Sequence, residues 1–350
     1  MLPVRGWHPA LHAALAALIE KHAGAGAAAV FDFDDTLILG DLGDQTFRTQ
    51  LDELTFGLTP EEFAAHLPVE PNGVTHLAPE FGGARIADVS ADLAAAYAAK
   101  EKSAAELRAK LALFFHALPA TEGLGKAFAY PWTNQLYAGL AREELRALAR
   151  KAWDRAVDEP LGSFEVESPA DVASKAGVQR ARLSTGLRAI PELTDLLRAL
   201  RAADFSVFIL TASMEDIVAE IAADPNGPFA LPRENILGMR LVTEGGRYTR
   251  TLDTRDGYAV TFGTGKTQVI RNVIGRAPVL VFGDSDTDLD MLTAFAETEV
   301  RVLIDRGQTK GPVAAFRERC AGNRDGHYLQ GRNQRDGTLN PSVVSDGPDE

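Results

Sequence analysis

Cysteine is almost missing from this chain: Cys320 stands alone among 350 residues. That excludes an internal disulfide framework and any cluster of thiolate metal ligands within one chain. The seven histidines are scattered and read as structural or surface residues, so imidazole metal chemistry is not expected either. Positive charge is in deficit, with 36 Lys and Arg against 49 Asp and Glu and a formal net charge of −13. No basic face is left for a polyanion, so nucleic acid is not an expected partner, and a small anionic substrate would need positive charge gathered locally. Long apolar runs are missing as well. No segment approaches the roughly 18 apolar residues of a membrane span, and no membrane partner is expected.

The N-terminal "MLPVRGWHPALHAALAALIEKHAGAGAAA" combines a basic residue, an alanine-leucine stretch and a small-residue end. Yet Leu11, Leu15, Leu18 and Ile19 share one helical face, His12 interrupts the run, and Glu20 and Lys21 follow it. This pattern predicts an amphipathic helix rather than a signal peptide, and a cytoplasmic protein is the expectation.

What is present is the composition of a soluble globular protein, with 45% hydrophobic and 24% charged residues, and a length that suggests two domains at about 150 residues each. Short apolar runs alternate with helical patterns in residues 1–40 and 184–320. Residues 27–34 form one run. "TGLRAIPELTDLLRALRAADFSVFILTAS" gives a helix with Leu193, Leu196, Leu197 and Leu200 on one face, then a strand from Phe205 to Leu210. "ENILGMRLV", "PVLVFGD" and "EVRVLI" read as further strands, with "GKTQVIRNVIG" as a helix among them. Strands alternating with helices predict an α/β core with a parallel sheet. Residues 41–183 change character to alanine-rich helical patterns with few strand signals, which predicts an inserted helical domain. Within it, residues 68–87 read as a surface loop. Residues 321–350 are polar, contain Gly and Pro and lack any period, so a poorly ordered tail is expected.

In an open parallel sheet, ligands bind at the carboxyl ends of the strands. Asp32 and Asp34 follow the first run, Thr211 and Ser213 follow "FSVFIL", Lys266 opens a helix, and Asp284, Asp286 and Asp288 follow "PVLVFG". Each string alone is compatible with a helix cap or an acidic first turn. Together they converge on one crevice. Two like unit charges about 4 Å apart at an effective dielectric of 20 repel by about 4 kcal/mol, so such carboxylates call for a cation. Oxygen-only ligands favour Mg²⁺, and Lys266 with the Thr211 hydroxyl offers the charge and hydrogen bond that a phosphate requires.

The ordered set "DFDDT", "FILTAS", Lys266 and "GDSDTD" resembles the four motifs of the haloacid dehalogenase (HAD) superfamily, and the insert resembles the helical cap of its phosphoserine-phosphatase-like branch. The resemblance implies a Rossmann-like parallel sheet core with an inserted cap, and a Mg²⁺-dependent phosphatase acting on a small phosphorylated metabolite. Carried over residue by residue, it implies Asp32 as nucleophile and metal ligand, and Asp34 as general acid and base with its backbone carbonyl on the metal. Thr211, the Ala212 N–H and Lys266 would hold the phosphoryl group, and Asp284 and Asp288 would complete the metal shell. Asp35 and Asp286 receive no role beyond solvation or capping. The acid at Asp34 disfavours dehalogenation, since a departing halide needs no proton, and the absence of membrane spans excludes a P-type pump. "GTGKT" is not a P-loop, because Val260 stands where that motif requires its first glycine.

The insert should select the ester. "AFAYPWTNQLYAGL" concentrates Phe128, Tyr130, Trp132 and Tyr137, and Glu122, Glu80 and Asp44 are acids within the same insert. Aromatics with a carboxylate suit a quaternary ammonium, and the same aromatics suit a helical core. Tyr130, Trp132 and Glu80 are the specificity candidates. "GWHPALHAALAALIE", "LTPEE" and "YPW" together resemble bacterial phosphorylcholine phosphatases. Phosphorylcholine is thus one expected substrate, with phosphoserine or phosphoethanolamine as alternatives. A phosphoryl-transfer mutase and a catalytically silent binding protein are the alternatives of another class.

Overall fold

The computed structural model describes residues 2–99 and 103–346. Helix α1 (Pro9–His22) buries Leu11, Leu15 and Leu18, the stripe its spacing dictates, and delivers the chain to β1 (Ala28–Phe31), whose four residues are all buried. A short strand β2 (Ile38–Leu39) follows. The insert then runs through α2 (Leu42–Glu53), α3 (Pro60–His66), α4 (Ile86–Ala99), α5 (Ala104–Ala120), α6 (Gly125–Asn134) and α7 (Arg142–Asp158). It closes with a hairpin of β3 (Gly162–Glu167) and β4 (Arg180–Thr185). Strand β5 (Arg188–Ala189) pairs antiparallel with β2, so the insert leaves and re-enters at one place.

The core resumes with α8 (Pro191–Ala202), β6 (Ser206–Met214), α9 (Glu215–Ala222) and β7 (Ile236–Met239), then a hairpin of β8 (Leu241–Glu244) and β9 (Arg247–Leu252). Helix α10 (Thr264–Val269), β10 (Leu280–Gly283), α11 (Leu289–Thr293), β11 (Val300–Ile304), α12 (Pro312–Cys320) and β12 (His327–Gln330) complete it. Six strands make one sheet in the order β12-β11-β10-β1-β6-β7, and every pairing in it is parallel. Both faces are covered by apolar clusters, one around Leu11, Leu196 and Ile209 and the other around Val30, Ile270 and Leu303. The insert has its own core, with Phe63 stacked on Tyr97 and Phe47 stacked on Phe115. No helix among the described residues is long and apolar enough to cross a membrane.

The structure corrects several expectations. The tail expected over 321–350 is structured as far as it is described: residues 327–330 form the sixth strand, paired with β11, and the chain remains structured through residue 346, residues 347–350 lying outside the described residues. Order there comes from contacts distant in sequence, which no local period announces. "ENILGMRLV" is two strands rather than one, β7 in the sheet and β8 in an outlying hairpin. The insert contains the β3–β4 hairpin, which is polar and mostly exposed on β3 and so carried no apolar signal. Its α7 packs not within the insert alone but into the main core through Leu145, Leu148 and Trp153.

Candidate active site

The two middle strands set the geometry. Strands β1 and β10 are neighbours in register, Phe31 opposite Phe282, and the Asp32 N–H continues the ladder by donating to the Phe282 carbonyl at 3.0 Å. Asp32 and Asp284 therefore emerge side by side at the carboxyl end of the sheet, where strand ends leave polar groups unpaired. Two glycines permit the close approach. A Cβ on Gly283 would lie 2.5 Å from that of Asp288, and one on Gly265 would lie 1.7 Å from the Val260 carbonyl oxygen. The first lets Asp288 fold back under the strand end, and the second lets α10 begin against its own preceding loop with Lys266 pointing inward.

Lys266 is fully buried and donates to Asp32 Oδ1 and to Asp288 Oδ1, both at 2.6 Å. Its two anionic partners hold the ammonium well above the usual lysine range against the effect of burial. The carboxylates share it unequally. Asp288 also accepts from the N–H groups of Asp284 and Ser285 at 3.0 and 3.1 Å; burial opposes its charge, but Lys266 and these donors hold its carboxyl below the ordinary value. Asp32 is pushed well above it, by burial first and by the Asp288 charge second. Burial also raises Asp284, to about 6, although Arg306 donates to it at 2.7 Å.

Asp34 has a different environment. Its carboxylate accepts from the Leu42 N–H at 2.8 Å, from Ser213 Oγ at 2.7 Å and from Thr211 Oγ1 at 3.4 Å. Among the described residues no cation pairs with it. Burial, and then the charge of Asp41, lift its carboxyl well above the ordinary range, which favours the protonated form.

The residues fit a divalent cation. Asp32, Asp284 and Asp288 each present a carboxylate oxygen within 4.8 Å of the other two, an all-oxygen set of the kind a hard ion takes. The charge balance points the same way. Among the described residues, seven carboxylates line the cavity or pair with groups that do (Asp32, Asp34, Asp35, Asp41, Asp44, Asp284, Asp288), against four cations (Lys126, Lys266, Arg306, Arg332). The Asp34 side chain is not in the oxygen triad, so only its backbone remains available to a metal.

The cavity, about 280 Å³, opens from the sheet end toward the insert. Its wall brings together Asp32, Asp34, Thr211, Ala212 and Asp284 with Tyr130 of α6. Of the other specificity candidates, neither arrives. Trp132 stacks on His66 and donates to its carbonyl, facing a separate groove. Residues two apart on a helix point about 200° apart, so a helix that turns Tyr130 to the cavity turns Trp132 away from it. Glu80 lies in an exposed single turn, Pro79–Phe81, and does not line the cavity. In their place stand Phe115, Tyr137, Asp41 and Asp44.

Asp35 is not a solvated cap. It is largely buried and paired with Arg306 at 2.9 Å and Arg332 at 2.8 Å, and these guanidiniums overcome burial to hold its carboxyl down to about 2. Asp286 does cap, accepting from the Val313 N–H in the first turn of α12. Sequence reasoning missed Arg306 and Arg332. Arg306 follows β11 and could have been found by the same strand-end rule; Arg332 lay in the segment taken for a tail.

Comparison with known proteins agrees with this architecture. A family model described as haloacid dehalogenase-like hydrolase matches residues 111–293. A phosphorylcholine phosphatase of Pseudomonas aeruginosa is 23% identical over 317 residues, 83% of this chain and 78% of that one. The crystal structure of a conserved protein of unknown function from Anaerococcus prevotii superposes with a TM-score of 0.89 at 26% identity, over 100% of this chain and 99% of the other.

Proposed function

The chain belongs to the haloacid dehalogenase-like hydrolases and is a phosphatase, and on that premise we propose that it hydrolyses a small amine-bearing phosphate monoester, phosphorylcholine foremost, through a phosphorylated Asp32. The observation that carries this reading is the contrast between two carboxylates two residues apart. Asp32 is held by a buried ammonium at 2.6 Å and stands in the carboxylate triad, so a cation bound there would offset the burial that raises its carboxyl and leave it a charged nucleophile. Asp34 is held only by hydroxyls and a backbone N–H, which suits an acid that must carry a proton.

An Asp32 carboxylate oxygen attacks phosphorus, the bond from phosphorus to the ester oxygen breaks, and the Asp34 carboxyl gives its proton to that oxygen. Asp34, now a carboxylate, takes a proton from water as the water oxygen attacks the same phosphorus. The acyl phosphate bond breaks, releasing phosphate and restoring Asp32. Lys266, the Thr211 hydroxyl and the Ala212 N–H face the phosphoryl oxygens and favour their charge in the transition state. Mg²⁺ held by Asp32, Asp284, Asp288 and the Asp34 carbonyl would add a second positive charge there.

The leaving group meets the other end of the cavity. Tyr130, Tyr137 and Phe115 supply aromatic faces, and Asp41 and Asp44 supply carboxylates with no salt-bridge partner among the described residues. Burial followed by the charge of Asp34 raises Asp44 to about 7, and a cationic head beside it would relieve that repulsion. Aromatic rings with an acid are the usual lodging of a quaternary ammonium. Phosphate release from phosphorylcholine, phosphoethanolamine, phosphoserine and an aryl phosphate, with Mg²⁺ and with chelator, tests the reading. Magnesium-dependent release that vanishes in Asp32→Asn is the expected result, and phosphorylcholine should lead the ranking. Release unaffected by chelator would remove the metal from the reading; a phosphoserine preference would remove the choline assignment.

A further inference from the structure

The C-terminal segment returns to the site. Beyond β12 it closes on itself through Gly331 N–H to Ser342 O, Asn340 N–H to Gly331 O and Asn333 N–H to Thr338 O. Ser345 pins it to the sheet end, its N–H donating to Asp305 Oδ2 at 2.8 Å and its hydroxyl to the Asp305 carbonyl at 2.5 Å. This packing delivers Arg332, 2% exposed, onto the loop after β1. There Nη1 donates to the Asp35 carbonyl at 2.5 Å and Nη2 to its carboxylate at 2.8 Å. At the other carboxylate oxygen of Asp35 sits Arg306, which bridges Asp35 and Asp284 at 2.9 and 2.7 Å.

Asp35 is thus shared by two guanidiniums, and it adopts φ 56°, a left-handed conformation that side chains disfavour. Its chain neighbours are functional on both sides. Asp34 precedes it, and the hydroxyl of Thr36, which follows it, lies 3.4 Å from both Asp32 and Asp284. The turn that Asp35 makes therefore sets where the Asp34 carbonyl points and where the Thr36 hydroxyl stands between Asp32 and Asp284. A bidentate guanidinium fixes both the carbonyl and the carboxylate of one residue, which an ammonium cannot do.

We propose that Arg332 is a positioning residue of the active site: through Asp35 it holds the loop after β1 in the shape that lets Asp32, the Asp34 carbonyl and Asp284 meet one divalent ion. The metal half of this inference rests on the functional reading above. Arg332 does not line the cavity, so its effect must pass through Asp35.

The test compares wild type, Arg332→Met, Arg332→Lys, Asp35→Asn and the double variant Asp35→Asn/Arg332→Met. Hydrogen–deuterium exchange of the 33–40 segment, taken without metal, should quicken about tenfold in Arg332→Met. The Mg²⁺ concentration giving half the maximal rise in melting temperature should increase about tenfold in the same variant. Arg332→Lys should recover part of each loss, and the loss in the double variant should fall short of the sum of the two single losses, since Asp35→Asn already removes the carboxylate that Arg332 holds along with the pair to Arg306. Unchanged exchange in Arg332→Met, or losses that add in the double variant, would overturn the proposal. A wild type that neither releases phosphate nor responds to Mg²⁺ would sink the functional reading alone, because the exchange measurement needs neither.

Discussion

The two ends of the cavity treat acid in opposite ways. At the sheet end, Asp32 and Asp288 share Lys266, and Asp284 and Asp35 share Arg306. Toward the insert, Asp41 and Asp44 have no salt-bridge partner among the described residues and their carboxyls are raised, Asp44 to about 7. The first arrangement spends its cations on holding reactive groups in place. The second leaves two carboxylates without an ion pair, which on the proposed reading the cationic end of the substrate would supply, so the chemistry is prearranged while recognition waits for the ligand.

The largest effect that would test this division is on turnover. Asp32→Asn keeps the shape but removes the carboxylate proposed as nucleophile, and phosphate release should fall by roughly a thousandfold or more, as read by single-turnover kinetics. Lys266→Met attacks the paired end through stability. Leaving two buried carboxylates without their cation should cost about 3–5 kcal/mol, measured by urea unfolding. Lowering the pH should shrink that deficit, because protonation discharges the pair. Asp44→Asn probes the unpaired end and should raise KM for phosphorylcholine roughly tenfold with little change in kcat. Wild-type KM should fall as pH rises through about 7, where Asp44 gains its charge, and the variant should lose that dependence.

A separate effect lies outside the cavity. Burial lowers His66 from 6.5 to about 4, so the unfolded chain binds the extra proton between those values. Its contribution is complete above pH 6.5 and is lost as pH falls toward 4, at up to about 1.4 kcal/mol per pH unit. His66→Gln should flatten the stability profile in that window while leaving the KM profile of the cavity intact.

The legible parts of the molecule were those with a local cause. Apolar runs at Ala28–Phe31 and Leu280–Gly283 announced buried strands, and a buried strand must release its polar residues at its end, which located Asp32, Asp34 and Asp284. Long-range causes were not legible. Arg332 owes its place to Ser345 and Asp305, and β12 to the open edge of β11. Trp132 was misjudged because composition groups residues that a helix separates, whereas Tyr130 happened to face inward.

The attachment of the insert has a mechanical consequence. Its two connections, β2 and β5, lie side by side, as in a flap with a single hinge. The opposite margin, however, is also fastened: Gly139 and Leu140 exchange backbone hydrogen bonds with Tyr248 of β9, and Arg146 and Arg150 of α7 clasp Glu220 of α9. A door held along both edges does not swing. Traffic through the mouth of the cavity must then be handled by flexing of the panel between those edges, and a variant that frees Tyr248 from its backbone partners would turn a flexing panel into a swinging one.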